Sequence, residues 1–253
     1  MVTYRQQKKI AYAAGFFLFL LLVISLPVFL NLNSETAAPS APISNYQPLT
    51  IEQVDVIPQA RGTDVVAHLK NSNPQAGVAE LKVRFTALND QDQAIASQTV
   101  ATYLTPGSLQ YVIALNLPVR DFAKIDVQIP EPPVFTEIPA AVQMPDFSIF
   151  LRERTTRPIG NLATEEQKGV IRNISSLDWQ RVELTSLALD SSGRTIAAAQ
   201  TFVGELKTGE QREFTLQWPA PPAPTAQVIV VANTNIYREE NIVKILGDPA
   251  LLR

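Results

Sequence analysis

Ala79-Glu80-Leu81-Lys82-Val83-Arg84-Phe85-Thr86-Ala87 alternates apolar and polar residues without a break. A period of two puts Ala79, Leu81, Val83, Phe85 and Ala87 on one face of a strand, with Glu80, Lys82, Arg84 and Thr86 on the other. That is the pattern of a strand with one face on a core and one in water. Tyr111, Ile113, Leu115 and Leu117 repeat it, and Val65, Ala67 and Leu69 do so more briefly. Ile125, Val127 and Ile129 face one way while Asp126 and Gln128 face the other. Beyond the first fifty residues, strands are the dominant expectation and the fold class is all-β.

The same series returns about a hundred residues later. Lys70-Asn71-Ser72 corresponds to Arg172-Asn173-Ile174, and Leu81, Val83, Ala87 and Leu88 correspond to Val182, Leu184, Ala188 and Leu189. The turn Asn89 to Ile95 matches Asp190 to Ile196 at an offset of 101, and Gln98-Thr99-Val100 matches Gln200-Thr201-Phe202 at 102. Pro106-Gly107 then matches Thr208-Gly209, and Phe214, Leu216 and Trp218 continue the register opposite Tyr111 to Leu117. A repeat of this length makes each copy a domain of six or seven short strands, for which a β-sandwich is the natural solution. The expected modules are residues 49–129 and 147–253. Between them, 130–146 carries Pro130, Pro132, Pro133, Pro139 and Pro145, a density incompatible with a central strand, and reads as a linker. Phe147 to Leu151 would open the second module and Val228 to Ala232 supply a late strand, with Pro219, Pro221, Pro222 and Pro224 in the loop before it.

An asparagine after a strand, a long alternating strand, an Asp/Gly turn, another strand, then a Pro-Gly or Thr-Gly turn before an aromatic strand resembles the FxLYD-like family of extracytoplasmic immunoglobulin-like modules. In the naming motif, Thr86-x-Leu88-Asn89-Asp90 keeps the leucine and the aspartate, and Leu187-x-Leu189-Asp190-Ser191 keeps the apolar positions. The resemblance covers roughly residues 49–129 and 147–245. It implies two tandem immunoglobulin-like β-sandwich domains attached to a cell envelope, and it implies no reaction.

Attachment is written into the N-terminus. Ile10 to Leu30 is a run of 21 uncharged, predominantly apolar residues, about 31 Å as a helix against a hydrocarbon core of about 30 Å. Arg5, Lys8 and Lys9 precede it, and no further lysine or arginine occurs before Arg61. That asymmetry expects residues 1–9 inside, a transmembrane helix over 10–30 and the rest outside, at the outer face of a prokaryotic cytoplasmic membrane. The run is longer than the apolar region of about 7–15 residues in a cleaved signal peptide, and the small pairs near Ala38 and Ala41 are each followed by proline, so a signal anchor is expected. Gly15-Phe16 after basic residues invites comparison with type IV pilin processing sites, but Leu20 stands where those chains carry a glutamate. From Asn31 to Pro48 the chain has no period and reads as a tether.

Composition narrows the task. All 24 acidic residues lie beyond the anchor with 18 of the 21 basic ones, an excess of six negative charges that argues against a nucleic-acid surface. With no cysteine, disulfides, thiolate metal sites and thiol catalysis are excluded. His68 is the single histidine, placed by the alternation on the solvent face of its strand beside Lys70. Asn89, Asp90 and Asp92 could suggest a calcium loop, but the required glycine and distal glutamate are absent and a hairpin turn is expected. Asn173-Ile174-Ser175 is a glycosylation sequon whose counterpart Asn71 lies in none, so both asparagines are read as bonding their own turns. Glu165-Glu166 and Glu239-Glu240 are adjacent and would face opposite ways in a strand, which suits no acid and base pair. No catalytic, cofactor-binding or metal residue is expected, nor a small-molecule substrate. Trp218 continues an inward series, whereas Trp179, at a loop edge, is either a lid over the end of the sandwich or, with Tyr237, a candidate partner-binding aromatic. Asn235 to Asn241 leads into Ile242, Val243, Ile245 and Leu246, either a last strand or a tail for another chain. The expected partners are the membrane, through Ile10 to Leu30, and another envelope protein.

Overall fold

The computed structural model describes residues 46–138, 144–159, 162–221 and 223–243. The expected anchor Ile10 to Leu30 lies outside them. Among the described residues no helix is long and apolar enough to cross a membrane.

Among the described residues thirteen strands form four antiparallel sheets. In the first half, β1 (Thr50–Gln59), β2 (Gly62–Lys70) and β5 (Leu109–Leu117) form one sheet in the order β1-β2-β5. A second sheet runs β4-β3-β6 from β3 (Ala76–Leu88), β4 (Ala94–Leu104) and β6 (Lys124–Gln128), with β7 (Phe135–Glu137) also on β3. The second half repeats the plan. Its sheets run β12-β9-β8 and β11-β10-β13, from β8 (Phe147–Ile159), β9 (Leu162–Asn173), β10 (Trp179–Leu189), β11 (Thr195–Leu206), β12 (Gln211–Pro219) and β13 (Gln227–Asn233).

Each pair of sheets closes on its own core. Leu81, Val83, Phe85 and Ala87 of the stretch that sets the fold meet Val65, Ala67 and Leu69 from β2 and Val112, Ala114 and Leu117 from β5. In the second half Val182, Leu184 and Ala188 meet Phe214, Leu216 and Trp218, all buried. The inward series read from β2, β3 and β12 is therefore the core, Trp218 included, but that of β5 is reversed. Val112 and Ala114 face the first core, Tyr111 and Ile113 turn to the other half, Leu115 is exposed, and only after Asn116, at φ 54°, does Leu117 return inward. Both expected turns after the long strands are hairpins: Asn89 Oδ1 accepts from the amides of Gln91 and Gln93, and Asp190 Oδ1 accepts from those of Ser192 and Arg194. Asp92 and Gly193 take the left-handed conformation at equivalent places, with φ of 59° and 82°.

Three stretches differ from expectation. Phe135–Glu137, inside the proline-rich segment read as a linker, pairs with Ala76 to Val78 as β7. Phe135 packs on the first core and stacks against Tyr46 at 4.9 Å. Proline excludes a central strand, but three residues free of it suffice at a sheet margin. At the end of the expected tether, the Gln47 amide donates to Asn73 Oδ1 and its carbonyl accepts from Asn73 Nδ2. Finally, Asn235 to Asn241 passes through turns and a single 3-10 turn over Glu239–Asn241 to Ile242, which makes one antiparallel bridge, to Trp179, in place of a full last strand, while Ile245 and Leu246 lie outside the described residues.

The two halves are packed face on face, within one compact unit that begins at Tyr46. Ile57, Val66 and Ile113 from the β1-β2-β5 sheet and Leu187 and Ala198 from the β11-β10-β13 sheet form a third buried cluster. A strand in two cores must be apolar on both faces, and Val65-Val66-Ala67, Val112-Ile113-Ala114, Leu187-Ala188 and Ala197-Ala198-Ala199 are all buried.

Candidate functional site

Asn71 and Asn173, both fully buried, are centres of one network built twice. Asn71 Nδ2 donates to the carbonyls of Ala76 (2.7 Å) and Thr105 (3.0 Å), and its Oδ1 accepts from the Asn73 amide (3.0 Å). Asn173 Nδ2 donates to the carbonyls of Leu177 (2.8 Å) and Leu206 (3.1 Å), and its Oδ1 accepts from the Ser175 amide (3.0 Å) and hydroxyl (2.5 Å). Asn73 and Ser175, and Ala76 and Leu177, are equivalent positions of the repeat, and the remaining carbonyls, of Thr105 and Leu206, differ by one place. The serine that completes the sequon is thus the counterpart of Asn73, which bonds Asn71 through both amides.

The two aromatics singled out for partner contact are engaged within the chain. Trp179 is not a loop-edge aromatic: it opens β10, is 1% exposed in the second core, and donates from Nε1 to Ser175 Oγ at 3.0 Å. Tyr237 reaches from the second half to the first, where its hydroxyl donates to the Leu104 carbonyl at 3.0 Å. Burial pushes its pKa up to about 12. The seat exists because residue 77 is glycine; a Cβ there would lie 1.8 Å from the Tyr237 hydroxyl and 2.3 Å from the Leu104 carbonyl oxygen.

His68 also differs from its expected solvated position. Its side chain is 15% exposed, Nε2 lies 2.8 Å from Asp55 Oδ2, and its ring meets Tyr111 edge-on at 4.8 Å. The alternation correctly turned His68 away from the first core, but the face it occupies is covered by the second half. Asp55 Oδ2 also accepts from Thr195 Oγ1 of β11 at 2.5 Å. Burial works to raise the Asp55 pKa, and the hydrogen bonds from Thr195, Gln53 and His68 outweigh it, so the carboxyl ends below its ordinary value. A nucleophile–base–acid relay needs the imidazole between hydroxyl and carboxylate. Here the carboxylate is in the middle, and the constellation is a clasp between sheets. Glu165 and Glu166 likewise serve structure: Glu165 accepts from Trp218 Nε1 and Thr225 Oγ1, and Glu166 from Gln217 Nε2. Among the described residues no three His, Cys, Asp or Glu side chains gather as a metal site would require.

Beside this contact the halves diverge and leave a cleft of about 840 Å³. One wall comes from β3, β4 and β5, including Thr102, Gln110 and Tyr111; the other from β10, β11 and the segment after β13, including Arg181, Thr185, Gln200 and Phe202. Because alternate strand residues share a face, Arg181, Glu183 and Thr185 present together opposite the inward Val182 and Leu184. Arg181 lies 3.9 Å above the centre of the Phe202 ring, with Nε 3.3 Å from Glu183 Oε1. Phe202 is nevertheless 56% exposed. Tyr103, 5% exposed in the opposite wall, has a buried hydroxyl without a hydrogen-bond partner at standard geometry. Burial and then the Glu183 charge raise its pKa far above the ordinary phenol value. Sequence reading missed Arg181, Phe202 and Tyr111 as neighbours, since contact between repeats leaves no spacing signal within one repeat.

No protein-family model matches the chain, and no curated protein matches it in sequence.

Proposed function

We propose that this chain is a single-pass, N-in membrane protein that presents two tandem immunoglobulin-like modules, of the FxLYD-like kind, outside a prokaryotic cytoplasmic membrane, and that it works by binding rather than catalysis. The module reading is carried by the asparagine network, whose bonds recur around equivalent asparagines in both halves. The address is supported by Ile10 to Leu30 and by the basic residues placed only before it. Binding is supported by the walled cleft and by the Asp55–Thr195 and Tyr237–Leu104 hydrogen bonds that hold its two sides together. A structural role in a larger envelope assembly is the second reading, favoured by β8. That strand lies at a sheet edge and exposes Phe150 (59%) and Leu151 (40%), a template for pairing with another chain.

The absence of cysteine supplies the test. Thr3→Cys and Arg61→Cys variants are treated with a membrane-impermeant maleimide on cells whose outer layers are opened. Labelling at 61 in intact cells, and at 3 only after lysis, is the expected result. The reverse pattern, or release of the chain by alkaline carbonate, refutes the topology. For the assembly reading, recovery in a complex after gentle detergent extraction is expected, and consistent recovery as a lone monomer counts against it.

A further inference from the structure

We infer that the cleft between the two halves is a binding site for an uncharged oligosaccharide, with Phe202 as the platform for a sugar ring. Its volume of about 840 Å³ suits a ligand of a few sugar units. Three acidic residues, Glu80, Glu183 and Glu240, balance three basic ones, Lys82, Arg181 and Arg238. Two of the cations are already paired, Lys82 with Glu131 at 2.9 Å and Arg181 with Glu183 at 3.3 Å. Such a cleft offers no net field to draw in a polyanion. What it offers is uncharged hydrogen-bonding groups: Gln180, Asn233, Thr201 and Tyr111, beside Gln110 and Gln200, each of which already donates one N–H to a threonine hydroxyl, at 3.0 and 3.3 Å. Side-chain amides carry donor and acceptor together, and hydroxyls serve as either, which matches the mixed demand of neighbouring sugar hydroxyls.

The ring completes the match. A sugar has an apolar face of C–H groups as well as a polar rim, and an aromatic surface takes the former. Phe202 keeps 56% of its surface exposed, and Arg181 holds the ring from one side at 3.9 Å. A peptide could pair only with an edge strand, such as β4, β5 or β11, whereas the faces of the cleft offer side chains, and comparison with a hexapeptide separates the two occupants. The inference rests on the extracytoplasmic binding reading, since glycans are met outside the membrane.

The test uses the purified full chain in a detergent without sugar headgroups, so that failure here leaves the topology experiment untouched. Tetrasaccharides of glucose, N-acetylglucosamine and mannose are titrated by calorimetry and by saturation-transfer NMR. At least one is expected to bind with Kd at or below about 1 mM. Phe202→Ala and Gln200→Ala are each expected to weaken it by about tenfold, the cost of one lost contact of ordinary strength. Phe150→Ala, removing an exposed phenylalanine outside the cleft, leaves binding unchanged. No binding by any of the three, binding indifferent to both cleft variants, or tighter binding of an uncharged extended hexapeptide at Phe202 overturns the inference.

Discussion

Replacing either buried asparagine by alanine tests the repeat, the hydrogen-bond network and the stacking of the halves together. Asn71→Ala removes two bonds donated to the carbonyls of Ala76 and Thr105 and two accepted from Asn73. Each is worth about 1 kcal/mol net, and a buried backbone group left without its partner costs about 1–3 kcal/mol. The alanine is too small to fill the space, and with no exposure at residue 71 water is slow to substitute. We expect a loss of about 3–4 kcal/mol, against a total of about 5–15 kcal/mol for a typical domain. Asn173→Ala removes the equivalent set and carries the same expectation. Urea denaturation of the full chain, followed by circular dichroism and tryptophan fluorescence, measures it. Both tryptophans, Trp179 and Trp218, belong to the second half, so fluorescence is blind to local unfolding of the first. The shared cluster contributes four large apolar side chains, Ile57, Val66, Ile113 and Leu187, each worth about 1.5–3 kcal/mol when buried. Coupling of that size makes the fluorescence midpoint follow Asn71→Ala. A loss below about 1 kcal/mol refutes the bond accounting, and a fluorescence transition unmoved by Asn71→Ala refutes the coupling.

Three further outcomes follow from the geometry. Tyr237→Phe deletes one hydrogen bond across the halves and should cost about 0.5–1.5 kcal/mol, whereas Gly77→Ala must move a backbone carbonyl and should cost more, by the same denaturation assay; equal stability of both variants to the parent contradicts the latch. Asp55 is held below its ordinary pKa, so its ionised form stabilises the fold above about pH 4, and that contribution is lost as pH falls through the depressed value. Asp55→Asn should therefore lower stability at pH 7 and flatten its decline between pH 5 and pH 2, and an unchanged acid limb would count against the clasp. Phe150→Lys places a charge on the free β8 edge, and we expect reduced self-association in light scattering with the unfolding midpoint unchanged.

What could be read from the chain depended on whether one element or several carried the signal. β3 has a polar face in solvent, so its alternation of Leu81, Val83 and Phe85 with Lys82 and Arg84 was legible, as were the two hairpin turns that cap the long strands. β2 was misread on one face. Val65, Ala67 and Leu69 went inward as expected, but Val66 between them is also fully buried, and that doubled apolar run was the available sign of a second contact. Taking only one face as core left His68 in water. Trp179 was misplaced for a different reason: a loop-edge residue has no alternation to orient it, and its burial depends on Ser175 and the segment around Ile242, which pairs with it across the end of the sheet.

The packing of two similar halves turns open sheet surfaces into a walled cleft. Within one module the outer face of the β1-β2-β5 sheet or of the β11-β10-β13 sheet is open, and neither wall alone encloses a ligand. Packing Ile57, Val66 and Ile113 on Leu187 and Ala198 fixes the two sheets, and the Asp55 clasp and Tyr237 latch hold that contact through polar bonds with directional demands. Apolar contact alone tolerates sliding; a carboxylate accepting from Thr195 and a phenol seated over Gly77 do not. A ligand touching both walls binds the stacked form and not the splayed one, so it must raise the free energy of separating the halves by the same amount that stacking raises its affinity. Tyr237→Phe, far from Phe202 in sequence and not itself in the cleft wall, should thus weaken oligosaccharide binding through the latch. Calorimetry on that variant decides it: affinity equal to the parent's would show that the Tyr237 latch does not govern the stacking that the ligand reads.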